Sequence, residues 1–127
     1  MAGPTIEFLG RQPDEVVSQL VSRCQALLFP GEEDFGMAPL EVNAAGRPVI
    51  AFYGGGAVET IAEGVNGMFF HEPTVDSMVE AMRRFRLAHW DVAAIQKHAL
   101  FYDIAAFQQR IREFIEQAVE TRHGIPA

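Results

Sequence analysis

Three consecutive acids, Glu32, Glu33 and Asp34, lie between Phe29-Pro30-Gly31 and Phe35-Gly36-Met37-Ala38-Pro39-Leu40-Glu41, and this stretch holds the densest set of groups able to do chemistry. An apolar run ends at Phe29 and a helical pattern begins at Met37, so Glu33 falls in a strand-to-helix loop and Glu41 inside the helix. A helical side chain leans toward the helix N-terminus, which lets both carboxylates face one crevice. Between them the backbone N–H groups of about Phe35 to Ala38 have no helical partner and point where an anion would sit. Carboxylates accept from hydroxyls and a helix start holds phosphate, so the cluster suits a ligand carrying both. The same spacing also fits a simpler role, with Glu33 and Asp34 capping the helix and Glu41 solvated.

Other candidates are less specific. Gly54-Gly55-Gly56 reads as a phosphate nest or as a tight strand-to-helix turn, and Glu59 just beyond it makes a neutral sugar the better neighbour. Arg47 is a phosphate ligand or, on the preferred reading, a surface residue at the start of a strand. His71 is expected to face solvent, and His89, His98 and His123 lack ligand spacing, so no metal site is expected. The lone Cys24 reads as a buried structural thiol.

The elements that must position these groups follow from the apolar pattern. Thr5–Leu9, Gln25–Phe29, Pro48–Tyr53 and Gly67–Phe70 are short apolar runs closed by Gly or Pro and read as buried strands. Pro13–Arg23, Met37–Ala45 and Ala57–Glu63 read as the helices between them. This alternation predicts an α/β fold, a Rossmann-like parallel sheet of about four strands, with ligands at the carboxyl ends of the strands. Helices over Val75–Arg86, Trp90–Ala99 and about Ile104–Arg122 follow. In the last of these, Ile104, Phe107, Ile111, Phe114, Ile115 and Ala118 form an apolar stripe that reads as a docking face. A single partial domain is expected over 1–127, with a βα core over 1–73 and a helical extension over 74–127.

The 127 residues carry 10 Lys+Arg against 17 Asp+Glu, a formal charge of −7, and 49% are hydrophobic. That length and composition fit one domain with a real core and exclude disorder. Lys97 is the sole lysine, which excludes a broad nucleic-acid surface, because phosphate neutralisation needs clustered cations. No basic and apolar leader pattern opens the sequence, and no apolar run approaches the roughly 20 residues of a spanning helix. With no disulfide framework, a cytoplasmic location is expected.

Taken in order, Glu33-x7-Glu41, Ala45-Gly46-Arg47-Pro48-Val49-Ile50-Ala51, Gly54-Gly55-Gly56-Ala57-Val58-Glu59-Thr60-Ile61 and Gly64-Val65-Asn66-Gly67 resemble the group 1 (family 4) glycosyltransferases, retaining enzymes of the two-domain GT-B architecture. The resemblance runs from Ile6-Glu7-Phe8-Leu9-Gly10 to the region Phe101 to Ile115 and covers the latter part of the C-terminal, donor-binding domain. It implies that Glu33 contacts the donor sugar hydroxyls as the catalytic-site carboxylate, with the main chain of Phe35 and Gly36 against the same sugar. It further implies that the amides near Met37 and Ala38 meet the diphosphate, that Glu41 takes the ribose diol, and that Leu9, Gly10 and Arg11 lie beside the nucleobase. The implied substrate is a nucleoside diphosphate sugar, with no metal and no cofactor, and the Glu-Glu-Asp-Phe-Gly loop looks like the mannosyltransferase-type members.

The family's donor domain opens with two further strands, and an Arg and a Lys that grip the diphosphate follow the first of them. This chain starts at what resembles the third strand and lacks both cations and the acceptor-binding domain, so catalysis by it alone is not expected. In the family's strand order, 3-2-1-4-5-6, Thr5–Leu9 loses its neighbours and is expected to pair beside Gln25–Phe29 or remain at an unprotected edge, giving a rearranged four-stranded sheet or a gap that a partner chain fills. The resemblance thus implies the donor-binding portion of a retaining hexosyltransferase, incomplete alone, whose protein partner is a second copy or the missing N-terminal half. Any peripheral membrane association is expected only through the absent domain. The alternative is a catalytically inactive interaction module that keeps the half-fold. A different nucleotide-binding enzyme lacks support, since neither a Gly-x-Gly-x-x-Gly after the first strand nor a P-loop is found.

Overall fold

The computed structural model describes residues 3–123. The His123 side chain, and residues 1–2 and 124–127 at the ends of the two expected segments, lie outside that description. Three of the apolar runs form strands, β1 (Leu27–Phe29), β2 (Val49–Phe52) and β3 (Gly67–Phe70). The helices are α1 (Asp14–Arg23), α2 (Met37–Ala44), α3 (Ala57–Thr60), α4 (Val75–Leu87), α5 (Val92–Leu100) and α6 (Ile104–His123).

The strands are all parallel in the order β1-β2-β3, with Leu27 beside Val49 and Val49 beside Gly67. Alternation along each strand sorts the side chains onto two faces. Phe29, Val49, Ala51 and Phe69 pack with Val42, Ala57 and Ile61 on one face. Ile50, Met68 and Phe70 pack with Ala81 of α4 on the other. Burial on both sides is why these strands read as continuous apolar runs. Helix α5 lies on α2, burying Ile95 and Ala99. Its start is fixed by Asp91, whose Oδ1 accepts from the N–H groups of Ala93 at 2.9 Å and Ala94 at 3.2 Å.

A fully buried polar knot ties α2 to the turn before β3. Asn66 Nδ2 donates to Asn43 Oδ1 at 2.8 Å and to Thr60 O at 3.0 Å, while Asn66 Oδ1 accepts from Ala62 N at 2.7 Å. Asn43 Nδ2 in turn donates to Arg47 O at 2.9 Å and to Asn66 O at 3.0 Å. Buried amides are tolerated because every one of these polar atoms is paired.

Several expectations are corrected. Thr5–Leu9 forms no strand and pairs with no strand among the described residues, so the sheet there has three strands rather than about four and is not rearranged to accept it. A strand needs a hydrogen-bonded neighbour, and the three-residue edge of β1 offers too short a ladder to offset ordering five more residues at about 1–2 kcal/mol each. Helix α3 stops at Thr60, not Glu63, because the Asn66 side chain holds the Ala62 N–H and draws the chain into the knot. Trp90 lies ahead of α5, where it stacks on Phe85 with ring centroids 5.3 Å apart. No correction applies to the apolar stripe of α6, which nothing among the described residues covers from residue 111 to 122. Cys24 is half-buried beside the first core cluster.

Candidate functional site

Adjacent parallel strands deliver two loops to the same carboxyl edge of the sheet, the acidic loop after β1 and the glycine triplet after β2. The two loops are packed backbone to backbone. Gly56 N–H donates to Glu33 O at 2.6 Å. A Cβ on Gly56 would stand 2.6 Å from Asp34 O and closer still to the Phe35 main chain, and one on Gly55 would strike Glu33 O. The triplet is therefore a turn that floors the acidic loop. It is no open phosphate nest, because the Gly56 N–H is already used.

Gly36 turns the loop into α2 at φ +76°, a left-handed conformation that favours glycine, and an added Cβ would meet the Phe29 ring at 3.1 Å. No side chain caps α2, so Glu33 and Asp34 are not spent on its N-terminus. Both acids are exposed, as are Met37 and Ala38 in the first turn, whose N–H groups lack intrahelical partners.

Glu41, one turn further along, stands between two hollows. One is a groove of about 900 Å³ that includes Phe35, Met37, Leu40, Leu100 and Tyr102. The other is a cleft of about 400 Å³ against α1, lined by Asp14, Val17, Ser18, Val21 and Ala45. Neither lining contains Lys or Arg. Glu33 lines neither hollow and rests over the glycine floor instead. Leu9, Gly10 and Arg11 are exposed, non-helical chain just ahead of α1, outside both hollows. Arg47 sits at the opposite edge of the sheet, where its Nε and Nη2 donate to Ser22 O at 2.9 and 2.6 Å, so it is no phosphate ligand here. Exposed His71 packs against Tyr53 with centroids 4.9 Å apart and the rings tilted by 42°. No cluster of three or more His, Cys, Asp or Glu suited to a metal occurs among the described residues.

Tyr102, at the corner between α5 and α6, was not singled out from sequence. Its Oη donates to Glu59 O at 2.7 Å and its ring meets Phe35 edge-on at 6.5 Å, so it ties the far helices to the acidic loop. His98 supports the same corner, with Nε2 2.9 Å from Thr60 O. An aromatic pair interrupting two helical patterns, Phe101-Tyr102, was the available signal. Tyr102→Phe is expected to cost about 1 kcal/mol of stability and to speed amide exchange at residues 101–104, measurable by urea titration and hydrogen exchange.

The family model described as glycosyl transferases group 1 matches residues 1–89, a span that contains the acidic loop, α2, the glycine floor and Asn66. The chain belongs to the group 1 glycosyltransferases. It is 38% identical over 78 residues to the alpha-1,3/1,6-mannosyltransferase ALG2 of Dictyostelium discoideum, covering 61% of this chain and 18% of that protein. Over 84 residues it is 36% identical to ALG2 of Homo sapiens, covering 65% of this chain and 20% of that one. This glycosyltransferase chain thus spans about a fifth of the length of those relatives. Its fold matches sucrose-phosphate synthase from Thermosynechococcus elongatus with a TM-score of 0.71 at 20% identity, over 94% of this chain and 31% of that one. It also matches Anabaena HepE, solved with UDP and glucose, with a TM-score of 0.60 at 24% identity, over 77% of this chain and 28% of that one. These likenesses show the α/β, Rossmann-like fold of GT-B proteins. No helix among the described residues is long and apolar enough to cross a membrane.

Proposed function

We propose that this chain is the donor-binding portion of a retaining glycosyltransferase that takes a nucleoside diphosphate hexose, mannose by preference. The observation that carries the reading is the meeting of an exposed acidic loop with the uncapped start of α2 at the carboxyl edge of β1 and β2, inside the family match. Glu33 accepts hydrogen bonds from sugar hydroxyls, and the main chain of Phe35 and Gly36 lies along the sugar. The N–H groups of Met37 and Ala38 receive the diphosphate, as a helix start does for an anion. Glu41 accepts from the two ribose hydroxyls, with Leu9, Gly10 and Arg11 on the side of the base. The mannosyltransferase names of the relatives and the UDP held by HepE support this choice of donor.

In the reaction the bond from the anomeric carbon to the diphosphate oxygen breaks while an acceptor hydroxyl oxygen bonds to that carbon from the same face and passes its proton to the departing diphosphate. Glu33 holds the sugar's orientation through that exchange, and the donor is the sole small molecule required besides the acceptor. Neither hollow beside Glu41 offers a cation, so of the described residues only amides stand ready for the charge that develops on the leaving diphosphate. Losing one such stabilising donor costs roughly a hundredfold or more in rate, so the chain alone is expected to bind donor with negligible turnover.

Calorimetric titration with nucleoside diphosphate sugars tests the reading. Glu41→Ala should weaken binding roughly 10- to 100-fold, the worth of charge-assisted hydrogen bonds of about 1.5–3 kcal/mol. Glu33→Ala should weaken the sugar nucleotide but leave the free nucleoside diphosphate unchanged. Absence of binding at millimolar donor, or two variants indistinguishable from wild type, overturns it.

A further inference from the structure

The acidic loop is held from two sides, and the two meet at Phe35. Beneath it Gly56 packs so closely on the Phe35 main chain that no Cβ fits between them. Against its side chain, which is 45% exposed, stands the Tyr102 ring, edge-on at 6.5 Å between centroids, a separation at which aromatic pairs attract. Tyr102 Oη also donates to Glu59 O at 2.7 Å, in the short helix that the glycine floor leads into. One side chain therefore grips both the loop and the element that carries its floor.

Tyr102 is itself fixed. Its N–H donates to Ala99 O at 2.9 Å, and Phe101 meets its ring edge-on at 5.1 Å. From α6, Arg110 lies 4.0 Å from the Phe101 ring centroid and 6.0 Å from that of Tyr102, and it donates to Phe101 O at 2.8 Å. A side chain locked in this way can hold another to a site's geometry. What it holds is also selective. Met37 and Ala38 belong to α2, which is anchored by buried Pro39, Val42 and Asn43. Phe35 lies ahead of the left-handed Gly36, in the loop, and the Gly56 N–H joins the floor to Glu33 O. A shift at Phe35 therefore moves the loop main chain and Glu33 while the helix start stays in place.

We propose that Tyr102 is a positioning residue for the donor sugar, acting through Phe35 and leaving the diphosphate position at α2 unaffected. The inference rests on the donor-binding reading and adds a residue beyond the span of the family match. Calorimetry on the full chain with UDP-glucose and GDP-mannose, each beside its free diphosphate, tests it. Tyr102→Ala should weaken the sugar nucleotide about tenfold, less than the hundredfold that a full ångström of displacement costs, and leave the free diphosphate unchanged. Tyr102→Phe keeps the ring on Phe35 and should stay within about twofold of wild type. In a Phe35→Ala background, Tyr102→Ala should have no further effect. The Gly56 amide, bonded to Glu33 O, should exchange faster in Tyr102→Ala relative to the Val49 amide in the sheet. Phe85→Ala, on the other face of the sheet, controls for lost stability and should change neither the ratio of affinities nor that relative exchange. A ratio unchanged in Tyr102→Ala, an equal loss in the Phe35→Ala background, or unaltered Gly56 exchange overturns this inference alone. A wild type that binds neither sugar nucleotide overturns the donor-binding reading and this inference with it.

Discussion

Gly56→Ala is expected to remove about two orders of magnitude of affinity for a sugar nucleotide while leaving the chain folded. The backbone at Gly56, φ −65° and ψ −16°, accepts alanine readily, so the effect comes wholly from the close approach of the acidic loop. The new methyl would lie 2.6 Å from Asp34 O, and the loop must lift by about 1 Å to reach ordinary contact. Displacement of that size is worth roughly a hundredfold in a positioned site. The Gly56–Glu33 hydrogen bond would lengthen with it, and overpacking should cost about 1–3 kcal/mol of stability. Gly31→Ala is the control, because nothing lies within 4 Å of a Cβ there. Calorimetry and urea titration on both variants would decide, and sugar-nucleotide affinity unchanged in Gly56→Ala would show that the floor does not position Glu33.

Asn66→Ala is expected to be the most destabilising single change outside the apolar core. It strips partners from Ala62 N, Thr60 O and Asn43 Oδ1, all at a site with no solvent exposure at either asparagine. An orphaned buried polar group costs about 1–3 kcal/mol, so a total of roughly 3–5 kcal/mol is expected, a large part of the 5–15 kcal/mol that keeps a domain folded. Urea-induced unfolding followed by Trp90 fluorescence measures it. A loss below about 1 kcal/mol would mean that water replaces the amide without penalty.

The acidic loop and the start of α2 were legible because both are local. A strand stop, a glycine and a helical pattern sit within a few residues of one another at Phe29 to Glu41. Glu33 and Glu41 could therefore be placed on a loop and a helix from spacing alone, and α2 begins at Met37 as expected. What was not legible depends on partners distant in sequence. Thr5–Leu9 has the composition of a strand, but composition does not say whether an edge is there to receive it. The role of Gly54–Gly56 as a floor needs β1 and β2 to be neighbours, and the end of α3 is set by Asn66 reaching back. The groove beside Glu41 exists only because Leu100 and Tyr102 come round from the far helices. Local reading went as far as a ligand with hydroxyls and a phosphate, and the resemblance across the ordered motifs narrowed that expectation to a nucleoside diphosphate sugar.

The order β1-β2-β3 also has a kinetic consequence, since β2 and β3 each pair with the strand synthesised before them. Leu27 finds Val49, and Val49 finds Gly67, across connections short enough that loop closure adds little entropy cost. Pairing between strands that are neighbours in sequence lets the sheet grow strand by strand as the chain emerges. The acidic loop is made first but has nothing to rest on until β2 is added and Gly54–Gly56 follow it. Its shape should therefore be acquired late, after the second strand docks, and a truncation ending at Phe52 should retain the sequence of the loop without its conformation.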